Sequence, residues 1–485
     1  AGSCPRIILL DTPLPDVVDD LVIDGYTQPG AAPNTAANGS DAQLCIVVGA
    51  SAAAGTLAQA LQVPNAASSG TSLGVKGIAF AGSTGFNGNF TVALRLRGGS
   101  NHLVQGNAFS GTGPGNVGSL GTMGFGIQIR DSAQDVLIGG SEPEHRNSFG
   151  SMSSTAIVLN DASSGGHIIQ NNYIGLSASG QAASSIGLNG IFASASPDVQ
   201  ILDNVIAAVT SSAAISITGA SASGYSIQRN RLGVNAFGVP TAALRNGIGI
   251  QINAGSGGHR IGSLLGLAPS NLITNSDEAG IWITSTAGTG TLIRPNQIFD
   301  NGISGLGLGV DIGPLGQSVN DPNDPDVGPN NGQNHPEITT SLPNANGSRQ
   351  VSVSLDSNPN TAFRIDVYRS PTCPAGNRGG NMLNRVGTVQ TSTNANGIAS
   401  ASFEVNGGRA PGILVAQATN VATSDSSDPS LCYLEPVATT TTITNDSPDP
   451  SAFGQPYTVT VLVNAASGNP TGTVTVSDGT GVQCT

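Results

Sequence analysis

Four oxygen-bearing side chains crowd one short turn. Asp321, Asn323, Asp324 and Asp326 stand in the run Asn320-Asp321-Pro322-Asn323-Asp324-Pro325-Asp326-Val327-Gly328. Closely spaced oxygens in a Pro- and Gly-rich turn suit Ca²⁺, a hard cation that takes about six to eight oxygen ligands. EF-hand spacing and its distal Glu are absent, so the alternative is an ordinary polar linker. A second constellation is aromatic. Trp282, the one tryptophan, and Phe192 occur in alternating segments alongside Arg95, Gln128 and Gln251. Aromatic rings flanked by amides suit stacking against sugars, which makes these five residues a candidate glycan-binding face, the alternative being aromatics shielded under a loop.

Three histidines open segments in matching contexts: Asn101-His102-Leu103, Gly166-His167-Ile168 and Gly258-His259-Arg260. Such a set suggests a metal or acid–base site, but intervening segments separate them, and descent of repeats from one another explains the match more simply. Asp131 and Asp161 follow successive apolar segments, and with Arg130 they define the smallest catalytic candidate. Glycoside hydrolysis normally needs two carboxyl groups on either side of the bond, and no alternating segment supplies such a pair.

The elements that must position these residues come from two recurring phrases. One is an apolar pair, a short polar step, an asparagine and a second apolar pair, as in Ile168-Ile169-Gln170-Asn171-Asn172-Tyr173-Ile174, around Asn107, Asn204 and Asn230, and more loosely around Asn147, Asn271 and Asn296. The other is Gly or Ala followed by strict alternation, such as Gly126-Ile127-Gln128-Ile129 and Gly280-Ile281-Trp282-Ile283. Short strands recurring every few tens of residues point to a solenoid, in which stacked coils bury what one coil cannot. An asparagine at the same bend of each coil is expected to bond to the one above, forming a ladder. Stacking in register predicts one outward column of Arg95, Gln128, Val158, Phe192, Ser216, Gln251 and Trp282. It predicts another of Arg97, Arg130, Asn160, Ser194, Thr218, Asn253 and Thr284.

Composition fits. Gly reaches 67 of 485 residues, charged residues are only 10% and aromatics 4%, while 38% of the chain is hydrophobic. The net charge of −13, with 17 Lys and Arg, argues against nucleic acid as a partner, because phosphate neutralisation needs clustered cations. No run is apolar enough to span a membrane. Five cysteines without zinc-type spacing read as disulfides in an exported protein, with Cys4 expected to pair with Cys45 and Cys373 with Cys432, each within one domain, and Cys484 left over.

Along the chain, residues 1–315 are expected to form the solenoid, with a long inserted loop from Gln28 to Asp41 and one helical turn at Thr56 to Leu61. Residues 316–336 form an Asp/Asn/Pro-rich joint. Segments alternating about every ten residues make 337–436 a β-sandwich, and 437–485 starts a further β module. The coil phrases, Ile23-Asp24-Gly25-Tyr26-Thr27-Gln28-Pro29-Gly30 and Asp326-Val327-Gly328-Pro329-Asn330-Asn331-Gly332-Gln333-Asn334-His335-Pro336 resemble exported bacterial right-handed parallel β-helix repeat proteins. The segment from Val437 resembles the first half of a bacterial immunoglobulin-like repeat.

The resemblance implies an all-β protein: a right-handed parallel β-helix, then a β-sandwich and a partial immunoglobulin-like domain, outside the cell or on a bacterial surface. Pectate lyases, polygalacturonases, tailspikes and adhesins share the fold, so function rests on the site. The expected function is non-catalytic, structural or adhesive, with surface glycans or further copies of the chain as partners, and a polysaccharide lyase or glycoside hydrolase as the alternative. Half a sandwich cannot bury its apolar face. The chain is therefore expected to continue past Thr485 or to exchange strands head to tail with its copies.

Overall fold

The computed structural model describes residues 4–83, 88–115, 117–160, 165–263, 270–305, 307–374, 379–405, 412–437, 439–452, 454–465, 470, 473–477 and 483–484. Strands dominate it, and its only helical pieces among the described residues are four short 3₁₀ turns. Three long sheets, each parallel throughout, fit a β-helix. Sheet 1 has ten strands, from Arg6–Leu10 to Gln297–Phe299. Sheet 2 has nine, from Leu21–Asp24 to Leu292–Arg294. Sheet 3 also has nine, from Thr56–Val63 to Val310–Gly313. A typical coil passes through sheet 3 at Phe125–Arg130, sheet 2 at Leu137–Gly139 and sheet 1 at Ser148–Phe149, then re-enters sheet 3 at Ile157–Asn160.

Alternation decides which side chains go inside. In sheet 3 Ile127 aligns with Ile157, Ile191, Ile215, Ile250 and Ile281, so the same residue type recurs one rung after another. Sheet 2 contributes Ile138, Ile169, Ile201, Ile227, Ile261 and Ile293, nearly all without exposure. Phe80, Phe109 and Phe149 stack in sheet 1 with ring centroids 5.2 and 4.6 Å apart. β-branched residues suit these columns because their stiff side chains lose little freedom in a pleated, closely packed wall.

The bend from sheet 2 into sheet 1 carries the asparagine ladder. Its Nδ2···Oδ1 links run Asn107→Asn147 (3.1 Å), Asn147→Asn172 (2.9 Å), Asn172→Asn204 (3.0 Å), Asn204→Asn230 (3.0 Å), Asn230→Asn271 (3.1 Å) and Asn271→Asn296 (2.9 Å). All seven are buried. A left-handed residue precedes four of them (Gly106, Asn171, Asp203 and Arg229) and turns the chain sharply enough to set the amide inside.

One expected element changes type. Thr56 to Leu61 is not a helical turn but part of the strand Thr56–Val63, paired in parallel with Asn89–Leu96. Leu57, Leu61 and Val63 are buried opposite Phe90, Leu94 and Leu96, and that tertiary pairing overrides the helical preference of Leu, Ala and Gln.

After the solenoid come two antiparallel sheets. One orders Glu337–Pro343, Arg349–Asp356 and Ile398–Val405; the other orders Asn384–Ser392, Ala362–Ser370, Ile413–Asn420 and Tyr433–Leu434. Val351, Val353, Leu355, Phe363, Ile365, Val367, Leu414 and Ala416 form one core between them. Beyond them Thr439–Ser447 pairs with Thr458–Ala465 as an antiparallel hairpin. Cys4 is bonded to Cys45 and Cys373 to Cys432, with Cα atoms 4.8 and 6.1 Å apart. The side chain of Cys484 lies outside the described residues.

The ladder is testable at its middle rung. Asn204 accepts from the backbone and side chain of Asn172 and donates to Asn230 Oδ1 and to the Ile169 carbonyl. Asn204→Ala strands these buried groups, each worth about 1–3 kcal/mol when left unpaired. Chemical denaturation is expected to show a loss of at least about 3 kcal/mol on that scale. A loss under about 1 kcal/mol would mean that the ladder does not hold the bend.

Candidate functional site

The outward face of sheet 3 carries the first column as a continuous row of register partners: Arg95, Gln128, Val158, Phe192, Ser216, Gln251 and Trp282. Asp311 follows Trp282. Short Val158 and Ser216 are shaded by longer neighbours and buried, whereas Arg95, Gln128, Phe192, Gln251 and Trp282 are half-buried. Trp282 is oriented by its Nε1–H, which donates to the Gly313 carbonyl at 2.9 Å. Arg95 donates to Gln59 Oε1 at 3.1 Å, and burial, then the neighbouring guanidiniums of Arg130 and Arg97, push its pKa below the ordinary arginine value. Beside this row, Arg130 aligns with Asn160, and Ser194, Thr218 and Asn253 follow one another.

Three carboxylates near the coil surface are paired with arginines of adjacent coils. Arg97 binds Asp131 at 2.6 Å, Arg229 binds Asp203 at 2.7 Å and Arg245 reaches Asp277 at 3.4 Å. Asp161, the second acid of the small catalytic candidate, lies outside the described residues.

The histidines are structural. Backbone bonds along sheet 2 place them in the order His102, Val136, His167, Val199, Tyr225, His259, so no two are neighbours. Each is buried and uses Nδ1 to accept a backbone N–H of another coil: Leu73 to His102 (3.0 Å), Val136 to His167 (3.2 Å) and Tyr225 to His259 (3.3 Å). Burial lowers all three pKa values, His167 and His259 to about 4.

Three of the four expected calcium ligands converge. One carboxylate oxygen each from Asp321, Asp324 and Asp326 lies within 4.8 Å of the others. The backbone N–H of Asn323 donates to Asp356 Oδ1 at 2.9 Å, and its side-chain oxygen lies against Gly397. Asp321 also lines a groove of about 360 Å³ with Asn320, His335, Glu337 and Asp356.

Sequence reasoning missed the residues that close the last coil. The final strand of sheet 1 is capped by Met382, which exchanges both backbone hydrogen bonds with Ile298 at 2.7 and 2.9 Å. At the edge of sheet 2, Gly290 N–H donates to Asp425 Oδ1, Thr291 N–H to Asn330 Oδ1 and Ile293 N–H to Ser426 Oγ. Sheet 3 ends with Ile312 N–H donating to Asp428 Oδ1 at 2.9 Å, and burial pushes that carboxyl up to about 7. Arg294, at 3% exposure, forks onto Asp366, which also receives Arg385 at 3.3 Å. Tyr368, Met382, Val415 and Cys432 of the antiparallel sheets belong to the same buried cluster as the solenoid interior. The run Asp425-Ser426-Ser427-Asp428 is the one sequence signal, and it reads as an ordinary polar loop until an open sheet edge is placed against it.

The chain matches no protein-family model, and no curated protein matches it.

Two outcomes are expected from this geometry. The unfolded histidine titrates near pH 6.5 and native His167 near 4. The unfolded state therefore takes up a proton first as pH falls, and the His167 contribution, complete above about pH 6.5, is lost towards pH 4. The stability difference between wild type and His167→Val should shift towards the variant by about 2 kcal/mol between about pH 7.5 and 4.5, measured by urea titration. A pH-independent difference would contradict the assignment. At the junction, Asp366→Ala strands a buried arginine and should cost about 3–5 kcal/mol. Arg385→Ala, at a half-exposed partner, should cost under about 1 kcal/mol. Equal losses for the two variants would rule out the buried Arg294–Asp366 contact as the dominant one.

Proposed function

We propose that this chain is a non-catalytic exported protein in which a rigid β-helix presents an adhesive face to surface glycans and is followed by β-sandwich modules, the last of them immunoglobulin-like. The observation that carries this is the row on sheet 3. Adjacent strands of a sheet are about 4.8 Å apart, so its amides, hydroxyls and rings form a regular ladder of hydrogen-bonding and stacking groups. A linear polysaccharide is a repeating array of hydroxyls with apolar ring faces, and it complements such a ladder along its length. Phe192 and Trp282 supply the stacking surfaces, and Arg95, Gln128 and Gln251 the polar contacts.

The pairing of Asp131, which follows a sheet 3 strand, with Arg97 supports binding over turnover on this face. Export is supported by the two disulfides, which persist in oxidising compartments. No helix among the described residues is long and apolar enough to cross a membrane.

A glycan array run beside a polysaccharide-depolymerisation screen tests the proposal. Binding without turnover is expected, with Trp282→Ala weakening the best ligand about tenfold while the fold persists. Turnover of any polymer, or binding indifferent to both Trp282→Ala and Phe192→Ala, would overturn it.

A further inference from the structure

The acidic cluster of the joint has an internal inconsistency as a set of bare carboxylates. Asp324 is 3% exposed, yet its two oxygens have opposite surroundings. Oδ2 accepts from Gln333 Nε2 (2.9 Å), from the Asn334 backbone N–H (3.2 Å) and from Ser357 Oγ. Oδ1 has no donor at all, and neither does Oδ1 of Asp321. Both residues belong to the group whose oxygens approach within 4.8 Å, together with Asp326. A buried acceptor without a donor is costly, more so when it is charged and faces other anions. No ion pair among the described residues involves any of the three.

The surroundings hold the carboxylates in place instead of separating them. Gly332, at φ 61°, leaves space that a Cβ would take from Asp326, since its atoms would fall 2.4 Å from Oδ2. Asn334 Nδ2 donates to the carbonyls of Asp321 (2.7 Å) and Asp356 (2.9 Å), clamping the turn to the end of strand Arg349–Asp356. Asn358 Nδ2 does the same for the Asp324 carbonyl at 2.7 Å. The donors present are thus spent on Asp324 Oδ2 and on backbone carbonyls, while one oxygen of each of the three carboxylates stays within 4.8 Å of the others.

We infer that Asp321, Asp324 and Asp326 bind a divalent cation of the calcium class. Two oxygens on one Ca²⁺ stand at most about 4.8 Å apart, given ligand distances near 2.4 Å, and the three carboxylates lie within that limit. Mg²⁺ demands near-ideal octahedral geometry at about 2.1 Å and usually keeps several waters, binding through one or two carboxylates, whereas Ca²⁺ takes larger carboxylate sets. Water and backbone oxygens complete the shell. The ion ties residues 321–326 to the strand ending at Asp356. The same loop carries Asn330 to the edge of the last coil, so the site braces the cap as well. The proposal is independent of the glycan face.

Isothermal titration of CaCl₂ into the chelator-treated full chain, paired with thermal melts, is the test. One Ca²⁺ per chain is expected, with a melting temperature raised by several degrees at millimolar Ca²⁺ and a smaller response to Mg²⁺. Asp326→Asn, at the exposed edge of the cluster, should keep the circular dichroism spectrum and weaken Ca²⁺ binding at least tenfold. Asp321→Asn is a second variant that leaves the donors of Asp324 in place, and it should do the same. Absence of binding heat together with an unmoved melting temperature would overturn the inference, and so would wild-type affinity in both variants.

Discussion

Every coil of this molecule must bury a polar corner, and the asparagine amide is what makes that tolerable. A bend between two short strands points backbone N–H and C=O groups inward, where no water reaches them. The amide of Asn204 receives two donors on its oxygen and gives both of its own protons, to a neighbouring amide and to a carbonyl of the preceding coil. The corner is thereby satisfied in full, and the satisfied state of one rung depends on the presence of the next. Sequence distance between rungs varies, from 25 residues between Asn147 and Asn172 to 41 between Asn230 and Asn271, while the contact stays near 3 Å. Lengthening a loop on such a coil costs little entropy, so insertions collect away from the ladder and leave the stack undisturbed.

A stack of parallel coils solves its interior and leaves its last edge open. Here three sheets end together, and the antiparallel region meets each with a different device. Met382 supplies a backbone bridge, Asp425 and Ser426 supply side-chain acceptors together with Asn330 of the joint, and Asp428 caps the final strand of sheet 3. An exposed edge of this kind is a template for further strand pairing, and covering it removes that route at this end. The buried Arg294–Asp366 pair adds direction: a guanidinium fork accepts only a narrow range of carboxylate orientations, so it fixes how the antiparallel sheets sit on the solenoid.

What was legible in the sequence follows from what is local. The asparagine phrase and the Ile-x-Ile alternation repeat within single coils, so the ladder, the inward columns and the outward row could be aligned by inspection. The antiparallel strands around Val351, Phe363, Ala401 and Ile413 alternate in the same way. Asn384–Ser392 escapes this reading because none of its residues is fully buried and only Val386 and Val389 among its non-glycine residues are apolar. The helical expectation at Thr56 failed for the complementary reason: Leu, Ala and Gln favour helix in isolation, and only the partner strand Asn89–Leu96 fixes them as extended. Asp425, Ser426 and Asp428 were invisible because burial there comes from an edge more than a hundred residues away. At the joint the acidic composition is plain, but not that Asp324 is buried while Asn323 and Asp326 stay exposed.

The proposed face and the joint depend on the same scaffold. An adhesive face gains affinity when its groups are already arrayed, since ordering them on binding would consume part of the contact energy. The row from Arg95 to Trp282 is ordered by the parallel register itself, without loops, and Trp282 is additionally fixed by Gly313 in the last strand of sheet 3. That strand is the one Asp428 caps. The orientation of the aromatic at the end of the face is therefore tied to the cap, and the cap to the joint through Asn330. On the proposed function, a stiff junction would help to keep that aromatic in place.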